Sequence, residues 1–265
     1  TISMNDYSEA HHGYELLLKI YAGPTGENLK KALNGAFSGI SDKIEQLFNQ
    51  WSRLYLMDTY VTCLSRHLDD EDFNGRLSMW RAYGVPNGVA LVVRSEPFVS
   101  VSDALGAYSF PVAYGDEKEI DDLLKRIGNA IAADTAFVKA LGQQVVENFM
   151  HEVLRYIVIA TKHPGFSEEL EWRVIYNPAR DTKKRLIHSV ETIRGAPQPI
   201  YSIPLVDVPG ENLTGIAIPD LFERLIVGPT QSPLSTYEAL VTVLDAAGVK
   251  DASSKVFMSR IPLRT

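Results

Sequence analysis

The order in which two hydrophobic periodicities follow one another constrains the fold more than any other feature of this sequence. Apolar residues at three- and four-residue steps mark helices. They occur at Leu16, Leu17 and Ile20, and again through Glu27–Trp51 at Leu29, Leu33, Phe37, Ile40, Ile44 and Leu47. They return in a long block from Asp116 to about Lys162. Asn5 and Asp6 are good N-caps for the first helix, and Gly23-Pro24 stops it. The long block predicts two helices broken near Ala133–Thr135, the second carrying the apolar run VVENFMHEVLRYIVIA. Shorter helices are expected at Arg76–Gly84 and Ser232–Gly248. Runs rich in β-branched and aromatic residues predict strands. These lie at Leu54–Ser65, Gly88–Val93, Tyr108–Gly115, 169–176, 185–194, 199–206, Arg224–Val227 and Val256–Ile261, with Pro111 marking an edge or bulge.

Helices and strands thus come in separate groups, without regular βα alternation. That order predicts an α+β fold with a mixed or mostly antiparallel sheet flanked by helices, not a doubly wound parallel sheet. With no internal repeat, low-complexity tract or linker, one domain is expected over residues 1–265. Thr1 already stands inside a motif, so a short preceding segment is expected to be missing.

Charge and cysteine content narrow the function. The net charge is -7, so a general basic surface for phosphate backbones is not expected, although a local basic cleft remains open. Cys63 is the one cysteine, which excludes an intrachain disulfide and a zinc site built on several thiolates. That usage, with no membrane-length apolar run and no signal peptide, points to the cytoplasm and away from membranes. The sequence has no G-x-x-x-x-G-K-[ST], G-x-G-x-x-G, H-E-x-x-H or G-x-S-x-G. Nucleoside-triphosphate hydrolysis, Rossmann redox chemistry, zinc proteolysis and serine-esterase chemistry are therefore disfavoured. His11 and His12 are adjacent, so on a helix they diverge and form no i, i+4 metal pair.

Two stretches carry chemistry. In Cys63–Val93 a strand ends at Ser65, a polar loop follows, and a short helix presents Trp80 and Tyr83 on one face. Such a pair either stacks on a planar ring and offers N–H and O–H donors, or packs beneath the loop as a small satellite core. Ser65 either bonds a ligand hydroxyl or simply forms the turn. In FSEELEWRVIY, strand alternation places Glu169, Glu171 and Arg173 on one face and Trp172 on the other. The pattern fits a carboxylate pair beside a cation, and equally a solvated sheet edge with local charge pairing. Asn5, Asp6 and Glu9 form a third polar group, readable as a capping cluster or as part of a site.

Taken together these stretches resemble a bacterial family of unknown function, numbered twenty-nine seventy-one. Cys63-Leu64-Ser65, Met79-Trp80-Arg81-Ala82-Tyr83 and Gly88-Val89 are similar to its serine-ended strand and "mWxxYa…GV" block. Asn5, Asp6 and Glu9 look like its "lNDpsE" motif, FSEELEWRVIY like "ysxExEwRli", and Ser259–Arg264 like its terminal strand. The chain departs at Arg66, at Arg81, and in having no tyrosine- or histidine-bearing opening segment before "ND".

A serine-ended strand followed by a late E-x-E also looks like the ADP-ribosyltransferase arrangement. That resemblance implies an ADP-ribosyltransferase-like fold with NAD as substrate and no metal. Glu171 would stabilise the oxocarbenium ion formed as nicotinamide leaves, and Glu169 would serve the acceptor. Ser65, Trp80, Tyr83, Arg173, Asn5, Asp6 and Glu9 would bind the substrate. The partner implied is a small-molecule nucleotide, with a protein or nucleic-acid acceptor, and the role that of a bacterial toxin or anti-phage defence effector. Two alternatives stand beside it. One is a non-catalytic nucleotide-binding or phage-sensing module. The other is a nuclease using Asp6, Glu9, Glu169 and Glu171 with a divalent metal.

Overall fold

A computed structural model describes residues 7–84, 88–193 and 195–262, the side chains of 7–11 and 53–58 excepted. Its first half runs α1 (Tyr7–Tyr21), α2 (Pro24–Ala36), α3 (Ile40–Asp58), β1 (Tyr60–Ser65), α4 (Leu77–Tyr83) and β2 (Val89–Val93). Next come α5 (Glu96–Val99), β3 (Ala107–Pro111), β4 (Ala113–Tyr114), α6 (Glu117–Ala133), α7 (Thr135–Leu141) and α8 (Gln143–Ala160). Strands β5 (Thr161–Lys162), β6 (Glu171–Tyr176), β7 (Ile187–Ile193) and β8 (Ala196–Ser202) follow. The chain then forms α9 (Ile218–Leu221), β9 (Phe222–Val227), α10 (Pro233–Ala246), α11 (Ala252–Lys255) and β10 (Val256–Met258). Helices and small mixed or antiparallel sheets in this order make the expected α+β fold. Two compact units divide it, residues 1–61 with 110–173 and residues 62–109 with 174–265. Strands β1, β6 and β3 form a sheet in that order.

In the first unit the apolar stripes of α1, α2, α3, α6 and α8 close on one core, including Leu17, Leu29, Ile44, Leu124, Met150 and Val158. Asp116 starts α6 with a capping box, accepting from the N–H groups of Lys118 and Glu119 while Glu119 accepts from Asp116. Gly13 brings α1 onto the end of α8. A Cβ there would lie 2.7 Å from the Val158 carbonyl and 3.2 Å from Thr161 Cβ. Strands β4 and β5 pair in parallel.

In the second unit, β9 lies between β2, antiparallel, and β10, parallel. Strand alternation gives this sheet two covered faces. Leu225 and Val227 join the core under α10, whereas Ile226 packs with Val92 and the indole of Trp80. Strands β7 and β8 form a separate two-stranded antiparallel sheet.

The element boundaries correct several expectations. Residues 54–58 continue α3 rather than opening a strand: the helix whose buried stripe runs through Ile40, Ile44, Phe48 and Trp51 extends to Asp58. The 27–51 helix is broken, since Gly39 sits at φ 73. Gly142 at φ 86 adds a second break to the 116–162 block. Strand β8 begins at Ala196, not 199, because its pairing with β7 runs on to Ile193↔Ala196.

Gly75 holds φ 66, and a Cβ there would lie 2.6 Å from the Trp80 ring. Gly39 has a similar φ and open space around it. Gly75→Ala should therefore lose about 2 kcal/mol or more in urea denaturation, and Gly39→Ala about 1. Equal losses would show that the Trp80 contact is not what holds this turn.

Glu211 ties the loop before α9 to residues 183–185. It accepts from Lys183 Nζ at 2.6 Å and pairs with Arg185, whose other nitrogen donates to the Ala104 carbonyl at 2.8 Å. The hydrogen bonds from Arg185 and Lys183 pull the Glu211 carboxyl down from its ordinary 4.5 to about 2. The folded value lies below the unfolded one, so this stabilisation is complete above about pH 4.5 and fades as pH falls toward 2. The gap in urea midpoint between the protein and Glu211→Gln should close over that window. A gap independent of pH would refute the assignment.

Candidate functional site

The E-x-E stretch meets a buried lysine. Lys162, in β5, is 2% exposed, yet its ammonium lies 2.6 Å from Glu169 Oε2 and 2.7 Å from Glu171 Oε2. Arg173 Nε reaches the other oxygen of Glu171 at 2.7 Å, and its Nη1 donates to the Ile159 carbonyl at 2.6 Å. The Glu171 N–H donates to the Tyr114 hydroxyl at 2.6 Å, and burial raises that phenol above its ordinary pKa. The Lys162 ammonium also lies 4.9 Å from the centroid of the Phe166 ring. Two carboxylates and two cations share one neutral cluster, inside the first unit.

Local geometry explains how they meet. Arg173 lies two residues after Glu171 on β6 and shares its face, as alternation predicts. Glu169 does not belong to the strand. It ends a 3-10 turn over Pro164–Glu169, and Leu170 then takes a left-handed φ of 45 before β6 starts. The Glu169 and Glu171 side chains therefore converge through a kink and a shared lysine, not through strand alternation. The cluster is also not a wet sheet edge, because Glu171 and Arg173 are both buried. Lys162 escaped the sequence reading because a lysine closing an apolar helix resembles an ordinary C-terminal cation. The usable signal was its setting, with a Pro-Gly reversal carrying the chain straight back to E-x-E.

The other candidates lie elsewhere in the chain. Ser65, in the second unit, accepts from Arg76 Nη1 at 3.0 Å. Arg76 in turn pairs with Glu71 at 2.5 Å and donates to the Arg66 carbonyl at 2.9 Å. That last contact uses only the backbone of Arg66. Trp80 packs as the small satellite core with Val92 and Ile226, and its indole N–H donates to the Asn74 carbonyl at 2.7 Å. Tyr83 is 59% exposed on the same short helix. Asn5 and Asp6 lie outside the described residues, as does the side chain of Glu9. Among the described residues no group of three or more His, Cys, Asp or Glu could hold a metal ion, and no helix is long and apolar enough to cross a membrane.

Fold and site together define an α+β protein with a buried carboxylate–cation cluster where a helix, a tight turn and a strand meet. The model of the family described as "Protein of unknown function (DUF2971)" matches residues 79–174. This is the family that the sequence motifs resemble. The match takes in Trp80, Tyr83, Lys162, Glu169, Glu171 and Arg173, and stops short of Ser65 and the N-terminal polar group. Neither the curated proteins nor the solved structures compared give a match.

Removing Lys162 leaves two carboxylates facing each other without their shared cation. Lys162→Met should cost about 3–5 kcal/mol in chemical denaturation. Glu169→Gln, nearer solvent and leaving the Glu171–Arg173 pair in place, should cost about 1. Similar small losses in both would mean the cluster is not the structural unit described.

Proposed function

We propose that the protein cleaves the nicotinamide–ribose bond of NAD, transferring ADP-ribose to an acceptor or to water. The observation that carries this reading is the Glu171 carboxylate, held in one position by Lys162 and Arg173 with the Glu169 carboxylate on the same ammonium. Loss of nicotinamide leaves positive charge on the ribose ring. A carboxylate whose position is already fixed stabilises that charge without reorganising during the reaction. Glu171 is given this role. Glu169, the less buried of the two, takes the proton from the acceptor hydroxyl. Lys162 and Arg173 act as positioning residues. Ser65, Tyr83, Asn5, Asp6 and Glu9 keep the substrate-binding roles that the family resemblance implies. Trp80 is given no substrate-binding role, because its indole is packed in a core and its N–H is bonded to the Asn74 carbonyl. The reaction consumes a cytoplasmic dinucleotide, which fits a toxin or anti-phage effector.

The test is to incubate the purified chain with NAD and measure free nicotinamide. Release should fall at least about 100-fold in Glu171→Gln. Glu169→Gln should keep release to water but lose transfer to an acceptor. Because Glu171 is buried in ion pairs, each variant is compared by circular dichroism before its rate is read. A folded Glu171→Gln that releases nicotinamide at the original rate sinks the proposal. NAD binding without release by the unmodified protein would favour the nucleotide-sensing module.

A further inference from the structure

The hairpin of β7 and β8 carries features that its own fold does not use. In the second unit it forms a two-stranded sheet by itself, and an isolated hairpin of this kind is marginally stable. Ile187, Val190 and Ile193 on β7 are 58%, 63% and 39% exposed. Ile193↔Ala196 is the last pair of the ladder, and in an antiparallel hairpin such a closing pair exchanges both backbone hydrogen bonds. Alternation then makes Thr192↔Pro197, Val190↔Pro199 and His188↔Tyr201 the pairs without mutual bonds. The placement of both prolines agrees, since neither has an N–H to lose there.

The two outer edges consequently differ. On β8, Pro197 and Pro199 remove outward donors. On β7, the N–H and C=O groups of His188, Val190 and Thr192 all point outward, and among the described residues β7 pairs with no strand but β8. The open edge also has a symmetric sequence. Read about Val190, the segment Ile-His-Ser-Val-Glu-Thr-Ile places an isoleucine three residues away on either side.

We propose that β7 is a self-association edge, pairing antiparallel with β7 of a second copy about a two-fold axis at Val190. In this register Val190 faces its own counterpart, Ile187 faces Ile193, Ser189 faces Glu191 and His188 faces Thr192. Every apolar residue meets an apolar one on the same face, and each glutamate meets a hydroxyl rather than another glutamate. His188, Val190 and Thr192 are also the residues whose backbone groups face outward, so the hydrogen-bonding parity agrees with the side-chain match. Centring the axis on Glu191 sets the two glutamates face to face. Centring it on Ser189 sets Ile187 against Glu191, and any one-residue slip mismatches the backbone groups. The product is an intermolecular four-stranded sheet with an isologous interface.

Sedimentation equilibrium over rising concentration tests this. The mass should climb from 29.5 kDa toward twice that value. Val190→Pro removes the central intermolecular donors and leaves the β7–β8 ladder untouched, because that N–H faces outward. It should return the mass to 29.5 kDa with an unchanged circular dichroism spectrum. A wild-type chain that stays monomeric to its solubility limit overturns the proposal, and so does a dimer that a folded Val190→Pro leaves intact. Cross-linking gives a reading that does not depend on that variant folding. In a Cys63→Ser background, Val190→Cys should oxidise to a disulfide-linked dimer. Thr192→Cys, which faces His188 and lies far from its own counterpart, should not. Equal cross-linking at both positions overturns the register.

Discussion

Lys162 is the charge around which the end of the helical unit is organised. An ammonium with almost no access to water is tolerable only where anionic oxygens replace its lost hydration. Glu169 and Glu171 supply those oxygens, and the requirement propagates outward. The turn after β5 must bring two carboxylates back within hydrogen-bond reach. Leu170 accepts a left-handed backbone so that Glu169 points inward. Arg173 then balances the second carboxylate from the same strand face. The close approach of α1 at Gly13 covers the end of α8 from which Lys162 emerges. Helix, turn and strand are coupled through one electrostatic condition.

Much of the fold was legible because it rests on local rules. The helical stripe of α8, the proline start of α10 and the glycine after α4 each declare an element within a few residues of its true bounds. Arg173 was placed correctly beside Glu171 because period two is a property of any strand. What stayed hidden depended on contacts between segments. Leu54–Asp58 has strand-like composition, but α3 continues through it to Asp58. Glu169 has the spacing of a strand residue and reaches Glu171 by a turn instead. Nothing local distinguishes Lys162 from a helix-ending cation, because its partners are chosen by the reversal that follows.

Trp80 shows the same contrast between residue type and residue use. An indole three residues from a tyrosine on one helix face fits a stacking platform. Its surroundings assign it to the core. Gly75 and Gly228 lie against the ring, Asn74 takes its N–H, and Ser259 bonds the same Asn74 carbonyl at 2.8 Å. The tryptophan thereby fastens the loop after β1 to the C-terminal segment beyond β10.

The two prolines of β8 bear on a hazard that every open hairpin faces. A ribbon with two receptive edges can add strands on both sides and grow without limit, as cross-β fibres do. Pro197 and Pro199 interrupt the outer donors of β8 while β7 remains receptive. Growth started at β7 therefore has no equivalent surface on which to continue. The chain keeps an adhesive edge and, within the same hairpin, the terminator that prevents it from becoming a filament.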